Sequence, residues 1–322
     1  MTADPPAVHR IEFEVDWTPG HVAAYLLAGE QTVLFDAGTP GEAAHDELTA
    51  GLDAAGYAPA NVDHLVITHP HIDHIGQTQT LVEAGATLHA PASVRRRFAR
   101  DPDDLATVVT ANARAAGTPE AQVDSAVEMS VRSLTRNRKL LAPDAVDDWV
   151  EPGDSVSIDD LEFDAIHAPG HQADHLCFET TLGGERAIFS GDMAIEPFRP
   201  VALHVGLDRE IGDTIPAFYE ALDRLSTREV DTVYPGHGPV HDDFAGAVGQ
   251  SRRSLDRLEE RVLEMLADGA ETAVDVAARR SAEGRDLAYL LPESLGMLQS
   301  LERDGAVVSS VSGDVRRYEP AN

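Results

Sequence analysis

The stretch Thr68-His-Pro-His-Ile-Asp-His-Ile-Gly76 decides how the rest of this sequence is interpreted. It continues His64–Thr68, a short apolar run typical of a buried strand. Within six residues it offers four groups of the kind that bind zinc or iron, namely His69, His71, Asp73 and His74. The first two histidines can point the same way from an extended loop. We expect Asp73 and His74 to start the next helix and to face a second ion.

Three further candidates stand beside a glycine just past an apolar strand. They are His171 in Ala168-Pro-Gly-His, Asp192 in Phe189-Ser-Gly-Asp, and His237 in Tyr234-Pro-Gly-His-Gly238. Glycine lets the backbone turn sharply and approach an ion closely. Each of these residues alone is more typical of a structural role, but together with the first cluster they supply enough ligands for two metal ions.

The composition excludes several classes of protein. The chain has 322 residues with 25 Lys+Arg against 56 Asp+Glu, a net charge of −31, which disfavours a general binder of nucleic acid or anionic membranes. A single cysteine, Cys177, rules out a disulfide within the chain. No apolar run approaches the roughly 20 residues of a membrane span, and the first residues lack a signal pattern. We therefore expect a cytoplasmic protein without membrane partners.

The acidity has a functional and an environmental interpretation. An acidic face can bind cations or a basic partner. However, the acidic residues occur along the whole chain, and Lys139 is the only lysine. This bias favours adaptation to concentrated salt, where the Debye length falls to about 3 Å at 1 M. We therefore expect a halophilic protein whose stability rises with KCl.

Alternating strand and helix patterns predict an α/β layered fold. A helical segment at about 93–141 is expected as an insertion between strands, either as a surface cover or as a lid over the site. After about residue 242, three helical patterns precede a hairpin whose turn is Ser312-Gly313-Asp314. This order is the pattern of a winged-helix module, and we expect two domains, 1–245 and 246–322.

The motif THPHIDHIG and the downstream PGH, SGD and PGHG elements resemble, in type and order, the signature of the metallo-β-lactamase superfamily. The resemblance covers about residues 8–242 apart from the insertion, and it implies an αββα sandwich. Asp36, in LFDAGTP, matches the family's early Asp-x-Gly element, which supports the site. The C-terminal part resembles the winged-helix tail of the subgroup that contains lactamase-β-like protein 2. Gln77 departs from glyoxalase II proper, which usually has a glycine there.

The resemblance also implies a division of the ligands. His69, His71 and His171 would bind the first metal, Asp73, His74 and His237 the second, and Asp192 would bridge them. Zinc is the expected metal, with iron or manganese as alternatives. Two ions roughly 3.5–4 Å apart can share a water and lower its pKa toward 7, so that a bridging hydroxide attacks the substrate. Asp73 and Asp192 are the expected catalytic residues.

Three functions follow from these observations. The leading hypothesis is a dinuclear hydrolase of small-molecule thioesters or esters, similar to glyoxalase II. The first alternative is a phosphodiesterase or endoribonuclease of the same fold, since the winged-helix subgroup includes an endoribonuclease. The second is a non-catalytic protein whose winged helix binds DNA, which a full set of seven ligands disfavours. Whether nucleic acid binds stays open, and a homodimer through the winged helix is an alternative role for that module.

Overall fold

A computed structural model describes residues 6–281 and 286–321 of the chain, in which two β-sheets pack face to face. The first sheet has six strands, β1 to β6, in chain order. They are β1 Ala7–Glu14, β2 His21–Ala28, β3 Val33–Phe35, β4 His64–Val66, β5 Thr87–Pro91 and β6 Asp148–Val150. The apolar runs His21–Leu27 and Gln31–Phe35, joined across Ala28-Gly29-Glu30, predict a hairpin, and the antiparallel pairing of β2 and β3 confirms it. Strands β3 to β6 pair in parallel.

The second sheet has five strands in the order β11-β10-β9-β8-β7. They are β7 Ser155–Ile158, β8 Leu161–His167, β9 Leu176–Leu182, β10 Glu185–Gly191 and β11 Thr232–Pro235. All neighbours are antiparallel except β10 and β11. Because β8, β10 and β11 run in the same direction, their carboxyl ends meet at one edge of the sheet.

Apolar side chains hold the two sheets together and cover their outer faces. Between the sheets, the ring of Phe35 stacks on that of Phe189 with centroids 3.8 Å apart. Outside the first sheet lie α1 (Glu42–Ala54) and α2 (Thr78–Ala84), and outside the second lies α6 (Thr214–Ser226). The layers are therefore helix, sheet, sheet, helix, which confirms the expected α/β sandwich.

The helix after the histidine-rich loop begins later than predicted. Asp73 and His74 do not start it, because α2 begins at Thr78 and both residues lie in preceding turns. The backbone there bonds to a neighbouring loop instead: Ala37 N donates to His74 O at 2.7 Å and Gly76 N donates to Gly38 O at 2.7 Å. This pairing across loops competes with the helical hydrogen bonds, and no local pattern revealed it.

The segment between β5 and β6 forms the expected helices, α3 (Ser93–Phe98), α4 (Pro102–Ala115) and α5 (Glu120–Leu140). Asp101 caps α4 by accepting hydrogen bonds from the backbone N–H of Asp103 and Asp104. Apolar residues of α4 and α5, such as Val109 and Leu134, belong to the core that covers the first sheet. The insertion is therefore packed onto the sandwich.

The C-terminal region consists of α7 (Phe244–Ala267), α8 (Ala273–Ser281), α9 (Leu287–Arg303) and the hairpin β12 (Val307–Ser312) and β13 (Val315–Pro320). Apolar residues of α7 and α9 join the same buried cluster as α6. The division at residue 245, the second residue of α7, and the winged-helix assignment stay predictions. Residues 1–5, 282–285 and 322 of the expected domains lie outside the described residues. None of the described helices is long and apolar enough to cross a membrane.

Candidate metal centre

The structure brings all seven predicted side chains to one edge of the sandwich. They project from the loops that follow β4, β8, β10 and β11. Their donor atoms form two groups, each with its atoms within 4.8 Å of one another. The first group comprises His69, His71, His171 and Asp192, and the second comprises Asp73, His74 and His237. Ligands that lie far apart in sequence thus meet at one place.

The first group is centred on Nδ1 of His71. This nitrogen lies 3.1 Å from Nε2 of His69 and 2.9 Å from Nε2 of His171. Asp192 Oδ2 lies 3.1 Å from the same Nε2 of His171. Three imidazole nitrogens and one carboxylate oxygen therefore converge, which is a donor set typical of zinc sites.

The second group shares Asp192 with the first. Asp192 Oδ1 lies 3.2 Å from His74 Nε2 and 3.5 Å from His237 Nε2. Asp73 Oδ2 lies 3.4 Å from His237 Nε2 and 3.8 Å from His74 Nε2. Because the two oxygens of Asp192 face different groups, this one carboxylate connects them.

Hydrogen bonds behind the histidines turn their free nitrogens toward the cluster. His171 Nδ1 donates to Val201 O and His237 Nδ1 donates to His21 O, each at 2.8 Å. A carbonyl oxygen can only accept, so the neutral rings carry their proton on Nδ1 and present the Nε2 lone pair to the cluster. Such fixed tautomers are typical of metal-binding histidines.

Asp36 orients two further histidines, His74 directly and His69 through Thr68, as the early Asp-x-Gly element implied. Its Oδ2 accepts a hydrogen bond from His74 Nδ1 at 2.8 Å, and its Oδ1 accepts one from Thr68 N at 2.8 Å. The Thr68 hydroxyl donates to Asp36 and can accept from His69 Nδ1 at 3.0 Å. Asp36 has a left-handed φ of 62°, which an aspartate tolerates better than most residues.

The cluster is incomplete without a cation. His74 Nε2 and Asp192 Oδ1 are buried and make no hydrogen bond to any described residue. They lie 3.2 Å apart, but their orientation does not form a hydrogen bond. An unsatisfied buried polar group costs about 1–3 kcal/mol, and a positive ion between these atoms would remove that cost. The donor set and the unsatisfied atoms thus both fit a metal site.

The close packing of charged and titratable groups shifts several pKa values in the cluster. Burial, followed by the charge of His171, lowers the pKa of His71 to about 3. Burial alone would lower the pKa of His74, but the carboxylates of Asp192, Asp36 and Asp73 raise it well above its usual value. Burial would raise the pKa of Asp73, but His74 and His237 lower it. Burial would also raise the pKa of Asp192, but His237, His74 and His171 lower it. Both carboxylates and the His71 imidazole are therefore in the protonation state that a metal requires, and the three carboxylates that favour a proton on His74 would equally favour a metal ion.

A glycine makes room for the two groups to approach. A Cβ atom on Gly236 would lie 2.6 Å from His74 Cε1 and 2.8 Å from Asp192 Oδ1. The Pro-Gly-His pattern that marked His237 in the sequence therefore has a steric reason at this site.

Three histidines near the predicted ligands have structural partners. His175 Nε2 accepts a hydrogen bond from Asp192 N at 3.0 Å. His167 Nε2 and His241 Nε2 each contact a backbone carbonyl, of Ala173 and Ala194 respectively. Cys177 is fully buried, its thiol donates to Ser190 O, and burial raises its pKa. It is therefore a core residue and not a nucleophile.

Sequence reasoning missed one contact between the insertion and the site. Asn137 of α5 donates from Nδ2 to Pro70 O at 2.8 Å, and Pro70 lies between His69 and His71. Asn137 is a buried polar residue on the face of α5 that also carries the buried Leu134. A buried asparagine in an arginine-rich helix has no local signature, because its partner lies 67 residues away.

Comparison with a sequence model of known families gives a match to the "Metallo-beta-lactamase superfamily" over residues 17–237. A "Beta-lactamase-like protein 2 homolog" from Caenorhabditis elegans is 24% identical over 314 residues, covering 92% of this chain and 88% of its own length. An "Atrochrysone carboxyl ACP thioesterase" from Emericella nidulans is 26% identical over 186 residues. That match covers 52% of this chain, which spans only about half (53%) of the thioesterase.

Among solved structures, a metallo-beta-lactamase family protein from Thermus thermophilus has a TM-score of 0.79. It is 22% identical, and the superposition covers 97% of this chain and 98% of the other. At this identity the similarity supports the fold, and it extends through the C-terminal region.

Proposed function

The chain belongs to the metallo-β-lactamase superfamily, and we propose that this metal-dependent hydrolase uses two divalent ions to cleave thioesters or esters. The observation that carries the proposal is Asp192, whose two oxygens face two separate groups of donors. His69, His71 and His171 would hold one ion, and Asp73, His74 and His237 the other. Asp192 would bridge them, and zinc is the metal that this donor set favours.

Bound ions would supply Lewis acidity for the substrate carbonyl and an activated water. The water oxygen bonds to the carbonyl carbon, the carbon–sulfur or carbon–oxygen bond breaks, and the thiol or alcohol leaves with a proton. Asp36, Val201 O and His21 O accept hydrogen bonds from His74, His171 and His237 respectively and so keep these three donors in place. Such preorganisation lowers the reorganisation that the reaction requires.

Asp73 has a second role in the proposal. It is the least buried of the carboxylates in the cluster, with 13% of its side chain exposed. Its lowered pKa keeps it ionised at neutral pH, so an oxygen not used for the ion can accept a hydrogen bond from the attacking water. The buried Cys177 leaves no thiol for covalent catalysis in this part of the fold.

Thioesters rank first because one relative is named as a thioesterase and because the surface carries strong negative charge. An acidic surface repels a polyanion such as RNA. Phosphodiester or RNA cleavage is therefore an outcome of the test and not a second proposal.

The test uses purified full-length protein in molar KCl with four probes: an acyl-CoA, an acyl-glutathione, bis(4-nitrophenyl) phosphate and single-stranded RNA. We expect about two metal ions per chain, hydrolysis of a thioester, loss of activity on chelation and recovery when zinc is added. His74→Ala should lose metal and activity, whereas His45→Ala, at an exposed position on α1, should keep both. Full hydrolysis after complete chelation, or cleavage of RNA but no thioester, would overturn the proposal.

A further inference from the structure

Helix α5 carries a basic segment in a strongly acidic chain. Between Glu128 and Asp144 there is no acidic residue, although the whole chain has a net charge of −31. The same interval contains four cations, Arg132, Arg136, Arg138 and Lys139. All four lie in the C-terminal half of α5, which ends at Leu140.

Two of these cations have a structural explanation. Arg138 and Lys139 lie in the last turn of α5, where positive charge interacts favourably with the helix dipole. Arg138 also donates from Nη2 to Arg100 O at 2.6 Å. These two residues therefore need no ligand to account for their charge.

Arg132 and Arg136 have no such explanation. They are four residues apart on a helix, so they share one face, and like charges at this spacing destabilise a helix. Most described arginines lie within 4.0 Å of a carboxylate. Neither Arg132 nor Arg136 forms an ion pair with a described carboxylate. Burial, followed by the charge of Arg132, lowers the pKa of Arg136, in line with repulsion between the two guanidinium groups.

The pair lies beside the open side of the metal centre. Arg136 Nε donates to Asn137 Oδ1 at 3.1 Å, and Asn137 in turn holds Pro70 O in the ligand loop. His71 and Asp73 are only partly buried, so this side of the loop faces solvent. The negative charge of Asp73 raises the pKa of Arg136, so the arginine and this predicted ligand interact electrostatically.

We propose that Arg132 and Arg136 form a subsite that binds a phosphate group on the thiol portion of the substrate. This rests on the proposed thioester hydrolysis and names its substrate class, a thioester of a phosphate-bearing thiol. Guanidinium groups bind phosphate oxygens through paired, charge-assisted hydrogen bonds. The pair lies outside the ligand set, so it can hold the leaving thiol while the acyl carbonyl reaches the metal centre.

The first experiment compares one acyl group on two thiols, CoA and pantetheine, at constant ionic strength with the metal-loaded enzyme. Pantetheine has the same thiol arm but no phosphate. In the double variant Arg132→Ala/Arg136→Ala, we expect kcat/KM for the acyl-CoA to fall about 10- to 100-fold, through KM. For the acyl-pantetheine it should stay within about twofold. Arg136→Lys should recover part of the loss, because it keeps the charge without the paired geometry.

Arg257→Ala is the matched control, since Arg257 is an exposed arginine on α7 with no ion pair to a described carboxylate. It should behave as wild type on both thioesters. An equal loss on the two thioesters in the double variant would show a structural role and overturn the subsite. Unchanged kinetics on acyl-CoA would overturn it as well.

Equilibrium binding separates this subsite from the proposed activity. Calorimetry with free CoA, dephospho-CoA and pantetheine requires no hydrolysis. We expect CoA to bind more tightly than pantetheine, with the difference reduced about 10-fold or more in the double variant. Dephospho-CoA keeps the diphosphate but lacks the 3′-phosphate. If it binds as tightly as CoA, the arginine pair contacts the diphosphate; if it binds only as weakly as pantetheine, the pair contacts the 3′-phosphate. If wild type hydrolyses no thioester, the proposed function fails; equal binding of CoA and pantetheine to wild type refutes the subsite alone.

Discussion

The metal-centre residues and the ion triad of Arg199, Arg280 and Glu293 both bury charge, but they satisfy it differently. In the triad, Glu293 Oε1 accepts hydrogen bonds from Arg199 Nη1 and from Ala202 N, each at 2.8 Å. Glu293 Oε2 accepts one from Arg280, and Arg280 Nη1 also donates to Ser294 Oγ at 2.8 Å. Both carboxylate oxygens are thus paired within the protein.

The metal centre has no such balance. It gathers two carboxylates and five imidazoles, most of them buried, and it leaves His74 Nε2 and Asp192 Oδ1 without a hydrogen bond to any residue that the structure describes. The two clusters are also neighbours, because Val201 O bonds to His171 while the next residue, Ala202, bonds to Glu293. We infer that the triad, whose charges are paired within the protein, serves the stability of the fold, whereas the unpaired atoms of the metal centre serve to bind an ion.

The same chemical change at both sites tests this difference, and the largest effect is expected at Asp192. Asp192→Asn removes the charge that connects the two donor groups. We expect the metal content to fall from about two ions to one or none, and the activity to fall more than about 100-fold. The rise in Tm that metal gives to wild type should disappear. The measurements are metal analysis, hydrolysis and thermal unfolding with and without zinc; retention of both ions would contradict the bridging role.

The matched change in the triad, Glu293→Gln, should lower the free energy of unfolding instead of the metal content. Glu293→Gln leaves Arg199 and Arg280 buried without their counter-charge, which we expect to cost about 3–5 kcal/mol. The protein that remains folded should keep its metal, so the outcome differs from that of Asp192→Asn. Denaturant unfolding measures the cost.

The pH dependence of that cost checks its electrostatic origin. Burial alone would raise the pKa of Glu293, but Arg199 and Arg280 lower it to about 2. A lowered carboxyl pKa contributes stability above the unfolded pKa of about 4.3, and that stability is lost as the pH falls through 2. Wild type and Glu293→Gln should therefore converge in acid; a difference independent of pH would point to packing alone.

Salt is expected to have the smallest effect on the stability difference between wild type and Glu293→Gln. Raising KCl from about 0.1 M to about 1 M shortens the Debye length from about 10 Å to about 3 Å and screens the surface charge. We expect the stability of wild type to rise, but the difference between wild type and Glu293→Gln to stay within about 1 kcal/mol, because buried pairs are screened less. Unfolding series in KCl measure both. Full stability of wild type in dilute buffer would refute the expected salt adaptation.

Local sequence patterns predicted much of the fold, and the errors concern single elements: two strands and the start of one helix. Apolar runs located most strands, and the hairpin of β2 and β3 was predicted from its turn. Strands β1 and β6 were not predicted individually. In β1 only Ile11 and Phe13 are buried, and β6 has three residues, too few to show a period. The start of α2 was wrong because loop-to-loop hydrogen bonds displaced the helix to Thr78.

The sequence by itself determined the chemistry of the ligands, because a metal-binding motif is a property of residue type and spacing within a few residues. Only the tertiary structure decided how those ligands are supported and what surrounds them. Asn137 meets Pro70 across 67 residues and Ala202 meets Glu293 across 91. Such contacts depend on how distant segments pack, and neither periodicity nor local motifs carry that information. The net charge of −31 likewise gave no indication of the basic pair Arg132 and Arg136. The proposed phosphate subsite depends on the position of this pair next to Asn137, which contacts the ligand loop.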